Sequence, residues 1–262
     1  MSFIELKDAH LTVPVYESRD KAMQSSIIPY LTQNYFARLN RRHITLLKNI
    51  NCKISSGDRL GVMGENGAGK STFLRLLAGA YIPTSGTAHI SGQVTSFFNI
   101  GLGFEQDTSG YSNIILRSLA MGKSYKQAKA VVPEILEFTK LGDAIKRPIS
   151  TYSHGMRLRL AFAILTAHDH DMILMDEWIG AGDKRFTEAA EMRLRSSVEQ
   201  SQIMVVATHN RTLMRNVCNK GIVLDKGEIL YRGEINEAVE FYEKEIVEPR
   251  KLSGENLKTS EL

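Results

Sequence analysis

A glycine-rich segment, GENGAGKS, lies in the first third of the chain. It comprises Gly64, Glu65, Asn66, Gly67, Ala68, Gly69, Lys70 and Ser71, and it fits the pattern G-x-x-x-x-G-K-[ST]. The apolar run RLGVM precedes it and predicts a strand, and the helical pattern STFLRLLAG follows it. This order predicts a phosphate-binding site, because glycines let successive backbone N–H groups turn toward a phosphate at a helix N-terminus.

The ligand predicted for this loop is a nucleoside triphosphate with Mg²⁺. We expect Lys70 to bridge the β- and γ-phosphates, the Ser71 hydroxyl to bind Mg²⁺, and the neighbouring Thr72 to line the same phosphate cradle. A chance glycine-rich turn is the alternative interpretation. It is disfavoured because strand, loop, helix, Lys and Ser all occur in register.

Two adjacent acids follow a later apolar strand, in the segment MILMDE. We expect Asp176 to complete the magnesium site. Consecutive strand residues point to opposite faces, so Glu177 is the better candidate for the general base that polarises the attacking water. The next strand, IMVVA, ends in Thr208 and His209. Because parallel strands bring their carboxyl ends to one edge of a sheet, His209 is predicted to reach the γ-phosphate.

The order of apolar runs predicts an α/β fold. Short apolar strands alternate with helices from residue 172 onward, which indicates a parallel sheet covered on both faces. Residues 3–14 and 44–64 predict short strands, and the stretch 17–43 between them predicts an inserted loop. Turn signals at residues 85–86 and 91–92 predict hairpins, and residues 112–141 predict helices.

From these elements we predict a RecA-like phosphate-loop NTPase core with a mainly parallel sheet. An antiparallel β lobe lies near the N-terminus, and a helical lobe is inserted at about residues 105–165. Residues 1–245 are predicted to form one domain, and residues 246–262 to form a polar C-terminal tail.

Composition excludes several other classes. The 33 Lys+Arg against 29 Asp+Glu give a net charge of +4, which is too weak an excess to argue for nucleic-acid binding. The two cysteines, Cys52 and Cys218, are far apart and predict buried thiols rather than a disulfide framework. No apolar run approaches the roughly 18 residues that cross a bilayer. At a membrane, another chain would supply the span.

The segment YSHGM, residues 152–156, distinguishes between a kinase, a GTPase and other phosphate-loop NTPases. It opens the helical run RLRLAFAIL and precedes Asp176, and it resembles the LSGGQ signature of ABC-type ATPases. In chain order follow MILMDE, then GAGD at residues 180–183 in the place of the D-loop, then His209 in the place of the switch histidine. The resemblance covers nearly all of residues 1–245.

Further motifs resemble one branch, the ATP-binding subunits of exporters of O-antigen, capsule or teichoic-acid polysaccharides. These motifs are GENGAGKSTFLRLLAGAYIPTSG, a GLGF segment followed by TSGYSNI, YSHGMRLRLAFA and DEWIGAGD. The resemblance implies a homodimer whose two copies face head to tail and sandwich two ATP molecules with Mg²⁺. It also implies separate transmembrane permease subunits that handle a lipid-linked polysaccharide, and a peripheral position at the cytoplasmic side of the plasma membrane.

The resemblance also implies the roles of several residues. Ser153 and Gly155 would contact the γ-phosphate of the partner's ATP, and Asp183 would belong to the D-loop. The Q-loop position falls on Asn99, with Gln106 as the alternative. The adenine-stacking aromatic is assigned to Tyr16, with Tyr35 and Phe36 as alternatives. His154 replaces the usual first signature glycine, and we expect its side chain to point away from the nucleotide.

A second function remains open at this stage, a soluble ABC-type ATPase that acts on nucleic acid or ribosomes. Such proteins usually join two cassettes or carry a coiled-coil insertion, and neither is evident in the sequence. Relatives that recognise their polymer carry an extra C-terminal β-sandwich. The chain ends shortly after the segment INEAVEFYEKEI, so we expect no direct sugar recognition by this subunit.

Overall fold

The computed structural model of the protein describes residues 2–16, 41–98, 103–177 and 184–249. The strands, in chain order, are β1 (Phe3–Tyr16), β2 (Arg41–Ser55), β3 (Arg59–Met63), β4 (Ser85–Ser91), β5 (Val94–Ser96), β6 (Met172–Asp176), β7 (Ile203–Ala207), β8 (Lys220–Asp225) and β9 (Glu228–Glu234). The helices are α1 (Lys70–Leu77), α2 (Gly110–Ala120), α3 (Tyr125–Ala130), α4 (Val132–Thr139), α5 (His154–Thr166), α6 (Lys184–Gln200), α7 (Arg211–Val217) and α8 (Ile235–Tyr242).

The central sheet has the strand order β5-β6-β7-β3-β8-β9. Its first five strands are parallel, and β9 is antiparallel to β8. In β7, Val205 faces the core that contains α1, whereas Met204 and Val206 face the core formed with α5, α6, α7 and α8. Because both faces of β7 are buried, the strand contains only apolar residues. The predicted parallel sheet is therefore confirmed.

A second, antiparallel sheet of order β2-β1-β4 covers α1. The sequence predicted short strands here, but β1 and β2 span 14 and 15 residues. Asp8 and Asn49 adopt positive φ of 46° and 47°, and the β1–β2 register shifts near both. Such bulges interrupt the alternation of side chains without ending the pairing, so the pattern underestimates strand length.

The hairpins predicted at residues 85–86 and 91–92 are wrong. Strand β4 pairs with β1, whereas β5 pairs with β6 in the central sheet. The chain changes sheets at Gly92, which has a φ of 112° and where a Cβ would collide with Ser2. The turn signal is therefore real, but it marks a crossover between sheets.

The helices between β5 and β6 form a separate apolar core. Helices α2, α3 and α5 begin with serine caps, at Ser109, Ser124 and Ser153. On the first turn of α2 lies Asn113, which is 1% exposed. Its amide donates to the Glu105 carbonyl at 3.0 Å and to Thr108 Oγ1 at 2.8 Å, and its oxygen accepts from the Glu105 N–H at 2.8 Å. One buried side chain thus fixes the loop that enters the helical region.

The C-terminal part of the domain extends past the predicted boundary at residue 245. A π-helical turn, Glu243–Val247, continues α8, and Ile246 is buried in the same core as α8. The packed region therefore includes at least the first residue of the predicted tail.

The two cysteines, Cys52 and Cys218, are buried and unpaired with each other, as predicted. Burial raises the pKa of Cys52 to about 11 and that of Cys218 to about 12. Both thiols are therefore inert core groups.

A buried histidine joins the helical region to the core. His168 follows α5, is 9% exposed, and its Nε2 lies 2.8 Å from Ser118 Oγ on α2. Burial, aided by the charge of Lys123, lowers the pKa of His168 from 6.5 to about 4. The neutral ring is thus the form that the fold accommodates.

This burial predicts a pH-dependent stability. His168 binds a proton more readily in the unfolded chain than in the folded one. The contribution of the buried neutral ring to the unfolding free energy is therefore complete above pH 6.5 and is lost as the pH falls toward about 4. Between pH 7 and pH 5, wild type should lose about 2 kcal/mol more unfolding free energy than His168→Gln in urea titrations. Replacing the exposed His89 by Gln is the control and should leave the wild-type slope intact; equal slopes for wild type and His168→Gln would contradict this assignment.

Candidate functional site

The glycine-rich loop connects the end of β3 to the start of α1. Gly69 is the N-cap of α1 and has a φ of 107°, a conformation that favours glycine. The Phe73 N–H donates to the Gly69 carbonyl at 2.8 Å, and the Ala68 N–H donates to the Glu65 carbonyl at 3.1 Å. Gly64 and Ala68 are buried, whereas Asn66, Gly67 and Ser71 are exposed. The loop is therefore a compact turn that leaves Ser71, on the first turn of α1, accessible.

Lys70 lies inside this loop and is 9% exposed. Its ammonium donates to the carbonyls of Gly64 at 2.7 Å and Glu65 at 3.0 Å. Burial lowers the pKa of Lys70, and the negative charges of Asp176 and Glu177 oppose that effect. The lysine therefore shares an electrostatic environment with both acids at the end of β6.

The two acids have different backbone environments. Asp176 is the last residue of β6 and is half-buried. Glu177 lies beyond the strand with a φ of 75°, and its N–H donates to the Ala207 carbonyl at 2.7 Å. The expectation that both acids are strand residues on opposite faces is wrong, because only Asp176 belongs to the strand. The separate orientation of Glu177 comes from this left-handed turn.

The carboxyl end of β7 lies beside these acids, since Asp176 pairs with Ala207 in parallel register. His209 Nε2 is 3.9 Å from Glu177 Oε1, and the two side chains are 52% and 56% exposed. Thr208 Oγ1 donates to Glu177 Oε2 at 3.0 Å. The structure thus brings Glu177 and His209 together and adds Thr208, a residue whose place at the strand end was predictable from sequence but whose contact with Glu177 was not.

The YSHGM segment stands at the N-terminus of α5. Ser153 Oγ accepts a hydrogen bond from the Met156 N–H at 3.2 Å, and Ser153, His154 and Gly155 are all exposed. A Cβ at Gly155 would meet no heavy atom within 4 Å. Tyr152 is 4% exposed and its hydroxyl donates to the Ala144 carbonyl at 2.7 Å. The tyrosine anchors the segment, and the next three residues face outward.

Some predicted site residues lie outside the described residues. These are Asn99, Asp183, Tyr35 and Phe36, together with the side chain of Tyr16. Gln106, the alternative Q-loop residue, is described, and its side-chain amide donates to the Phe104 carbonyl at 3.3 Å. The choice between Asn99 and Gln106 stays a prediction.

The described residues contain no group of three or more His, Cys, Asp or Glu side chains that could hold a metal ion. Exposed Ser71 and half-buried Asp176 offer one hydroxyl and one carboxylate, both oxygen ligands that suit Mg²⁺ completed by phosphate and water.

The fold and the site together define a phosphate-loop ATPase. The model of the ABC transporter family matches residues 47–180, just over half of the chain, which include the glycine-rich loop, the helical region, YSHGM and both acids. The chain therefore belongs to the ABC transporter family, and the predicted class, an ABC-type ATPase, is confirmed.

Similar proteins agree with the predicted branch. The O-antigen export system ATP-binding protein RfbE of Yersinia enterocolitica is 38% identical over 231 residues, which cover 87% of this chain and 97% of that protein. The O-antigen export system ATP-binding protein RfbB of Myxococcus xanthus is 35% identical, over 78% of this chain and 46% of its own length. The teichoic acids export ATP-binding protein TagH of Shouchella clausii is 35% identical, over 79% of this chain and 57% of its own length. The chain thus spans about half of the last two.

Solved structures support the fold. A dimeric post-hydrolysis state of the ATP-binding cassette MJ0796, bound to ADP and Pi, superposes with a TM-score of 0.65 at 21% identity, covering 88% of this chain and 98% of that one. CbiO1 of Clostridium perfringens, part of the cbiONQ complex, superposes with a TM-score of 0.59 at 18% identity, covering 95% and 94%. These similarities confirm the predicted fold class.

Proposed function

We propose that this protein is the ATP-hydrolysing subunit of an exporter that moves a lipid-linked cell-surface polysaccharide of the O-antigen, capsule or teichoic-acid type. The observation that carries the proposal is the alignment with an O-antigen export ATP-binding protein over 97% of that protein's length. The alternative, a soluble ABC-type ATPase acting on nucleic acid or ribosomes, is not favoured by these relatives.

ATP with Mg²⁺ is the proposed ligand of the glycine-rich loop. The backbone N–H groups of residues 64–72 and the Lys70 ammonium bind the phosphates, and Ser71 and Asp176 hold the metal, which would neutralise phosphate charge. Two observations support this assignment: Lys70 is buried within the loop, and the negative charges of Asp176 and Glu177 act on its pKa. Glu177 is the proposed general base, and His209 hydrogen-bonds the γ-phosphate.

The proposed active unit is a homodimer in which each ATP lies between two copies. Ser153 and Gly155 of one copy reach the γ-phosphate bound by the other. Asp183, which is outside the described residues, is assigned to the D-loop in this proposal. The exposure of Ser153 and Gly155 at a helix N-terminus supports this role, since the helix dipole favours a bound anion. His154, also exposed, points away from the nucleotide in this proposal.

The membrane-spanning part of the exporter is proposed to be a separate permease. No helix in the described portion of the chain is both long and apolar enough to cross a bilayer. The permease would dock near residues 97–112, beside the helical region. Exposed apolar side chains at Tyr111, Leu116 and Leu119 on α2 support this location. The protein would then be peripheral, at the cytoplasmic face of the plasma membrane.

Genetic complementation tests the proposal. Deletion of the gene should remove the surface polysaccharide and leave its lipid-linked form inside the cell. Wild type should restore export, whereas Lys70→Ala should not, because the triphosphate loses its buried cation. Lys7→Ala, which changes an exposed ion pair with Glu5, is the control and should restore export. Unchanged surface polysaccharide in the deletion strain would refute an export role; a permease gene beside this one would support it.

A further inference from the structure

Thr208 lies next to Glu177 and His209, the two side chains proposed to act in hydrolysis. It follows β7 directly, and it is 4% exposed although its neighbours Glu177 and His209 are more than half exposed. Its Oγ1 donates to Glu177 Oε2 at 3.0 Å and accepts from the Asn210 N–H at 3.2 Å. A hydroxyl that accepts from one group while donating to another is polarised, and this strengthens the bond to the carboxylate.

Glu177 needs such a contact because, among the described residues, the other hydrogen bond that holds it is made by its backbone. Its N–H bonds to the Ala207 carbonyl, and its φ of 75° is an unusual conformation for a residue with a side chain. The side chain itself is 56% exposed, so its rotamers are free unless a hydrogen bond fixes them. The second carboxylate oxygen, Oε1, lies 3.9 Å from His209 Nε2, which is too far for a hydrogen bond.

We propose that Thr208 is a positioning residue that fixes Oε2 of Glu177 and leaves Oε1 turned toward His209 to accept a proton from the attacking water. The inference rests on the proposed role of Glu177 as general base. In that step the water oxygen bonds to the γ-phosphorus as the bond to ADP breaks, and the water proton passes to Glu177. Thr208 donates its own hydrogen bond throughout and transfers no proton.

A purely structural role for Thr208 fits the contacts less well. The start of α7 is already capped by Asn210, whose side chain accepts from the Leu213 N–H at 2.9 Å. The Thr208 hydroxyl therefore adds little to the helix cap, and its remaining partner is the carboxylate. The contact also links the ends of β6 and β7, so the orientation of the base depends on the register of the sheet.

Steady-state ATPase kinetics of Thr208→Val and Thr208→Ser test the inference. Valine keeps the shape and removes the hydroxyl, so kcat should fall about ten- to a hundredfold from misorientation alone, with KM for ATP within about twofold of wild type. Serine keeps the hydroxyl and should restore most of the rate. Thr139→Val is the matched control, because Thr139 is also buried but its hydroxyl, within the described part of the chain, donates to backbone carbonyls of α4 and to no side chain; its kinetics should match wild type.

Single-turnover measurements in a Glu177→Gln background separate this inference from the proposed function. If Thr208 acts through Glu177, adding Thr208→Val to Glu177→Gln should cause no further loss of rate. An equal fall in both backgrounds, an unchanged rate in Thr208→Val, or no rescue by serine would each overturn the positioning role. Full turnover by Glu177→Gln itself would instead overturn the role of Glu177 as base.

Discussion

Replacing Glu177 by glutamine is expected to lower ATP turnover by a hundredfold or more while leaving ATP binding intact. Glutamine has nearly the same shape and can still accept the Thr208 hydrogen bond, but it cannot take a proton from water. General-base catalysis typically contributes about 10² to 10⁴ in rate, so losing it should dominate kcat. KM should change little, because Glu177 follows β6 and is not part of the loop proposed to bind the phosphates.

The same variant should accumulate as an ATP-bound dimer. In the proposed mechanism hydrolysis separates the two copies, so a protein that binds ATP without cleaving it should stay closed. Size-exclusion chromatography with light scattering, in the presence of ATP and Mg²⁺, measures this directly. Glu228→Gln is the control, since Glu228 forms an exposed ion pair with Lys48 at 3.3 Å and should behave as wild type. Wild-type turnover by Glu177→Gln would remove Glu177 from the base role.

The local parts of the site could be predicted from the sequence. The glycine-rich loop, its strand and its helix are contiguous, and each obeys a short-range rule of pattern or conformation. The adjacency of Glu177 and His209 was also predictable, because both follow short apolar strands and parallel strands end at one edge.

Other features depend on contacts that a linear pattern does not encode. The importance of Thr208 comes from a hydrogen bond between its hydroxyl and a carboxylate 31 positions away in the sequence. That of Asn113 comes from hydrogen bonds to the loop that precedes its helix. The hairpin error near Gly92 has the same origin, since turn residues show that the chain bends but not which strand receives it. Glu177 was predicted to belong to β6, but the strand ends at Asp176. An acid that follows apolar residues is compatible with either a strand or a turn, so the sequence pattern does not locate this end.

The YSHGM segment is far from the glycine-rich loop in the sequence, and this leads to the second prediction with a large expected effect on ATPase activity. If the segment serves the ATP of another copy, a chain with a defective signature and a chain with a defective loop should complement each other. Gly155→Asp suits the first defect, because a side chain there has open space and its charge would repel a phosphate. Ser153→Ala is less suitable, because it also removes the cap of α5. Lys70→Ala supplies the second defect.

Each variant alone should lack activity, because both sites of its homodimer are impaired. In a mixed dimer, one site combines the two defects, whereas the other pairs an intact loop with an intact signature. With random exchange, half of the dimers are mixed, so an equal mixture should recover about a quarter of wild-type turnover if the sites act independently. A mixture of Lys70→Ala with Glu177→Gln is the control, because both residues belong to the same half of a site and no intact site can form.

The ATPase rate of the equal mixture of Lys70→Ala and Gly155→Asp is therefore the most direct test of a catalytic site shared between two copies. A shared site should recover about a quarter of the wild-type rate in this mixture, with no recovery in the Lys70→Ala and Glu177→Gln mixture. A rate that stays at the level of the separate variants, under conditions in which the copies exchange, would contradict it.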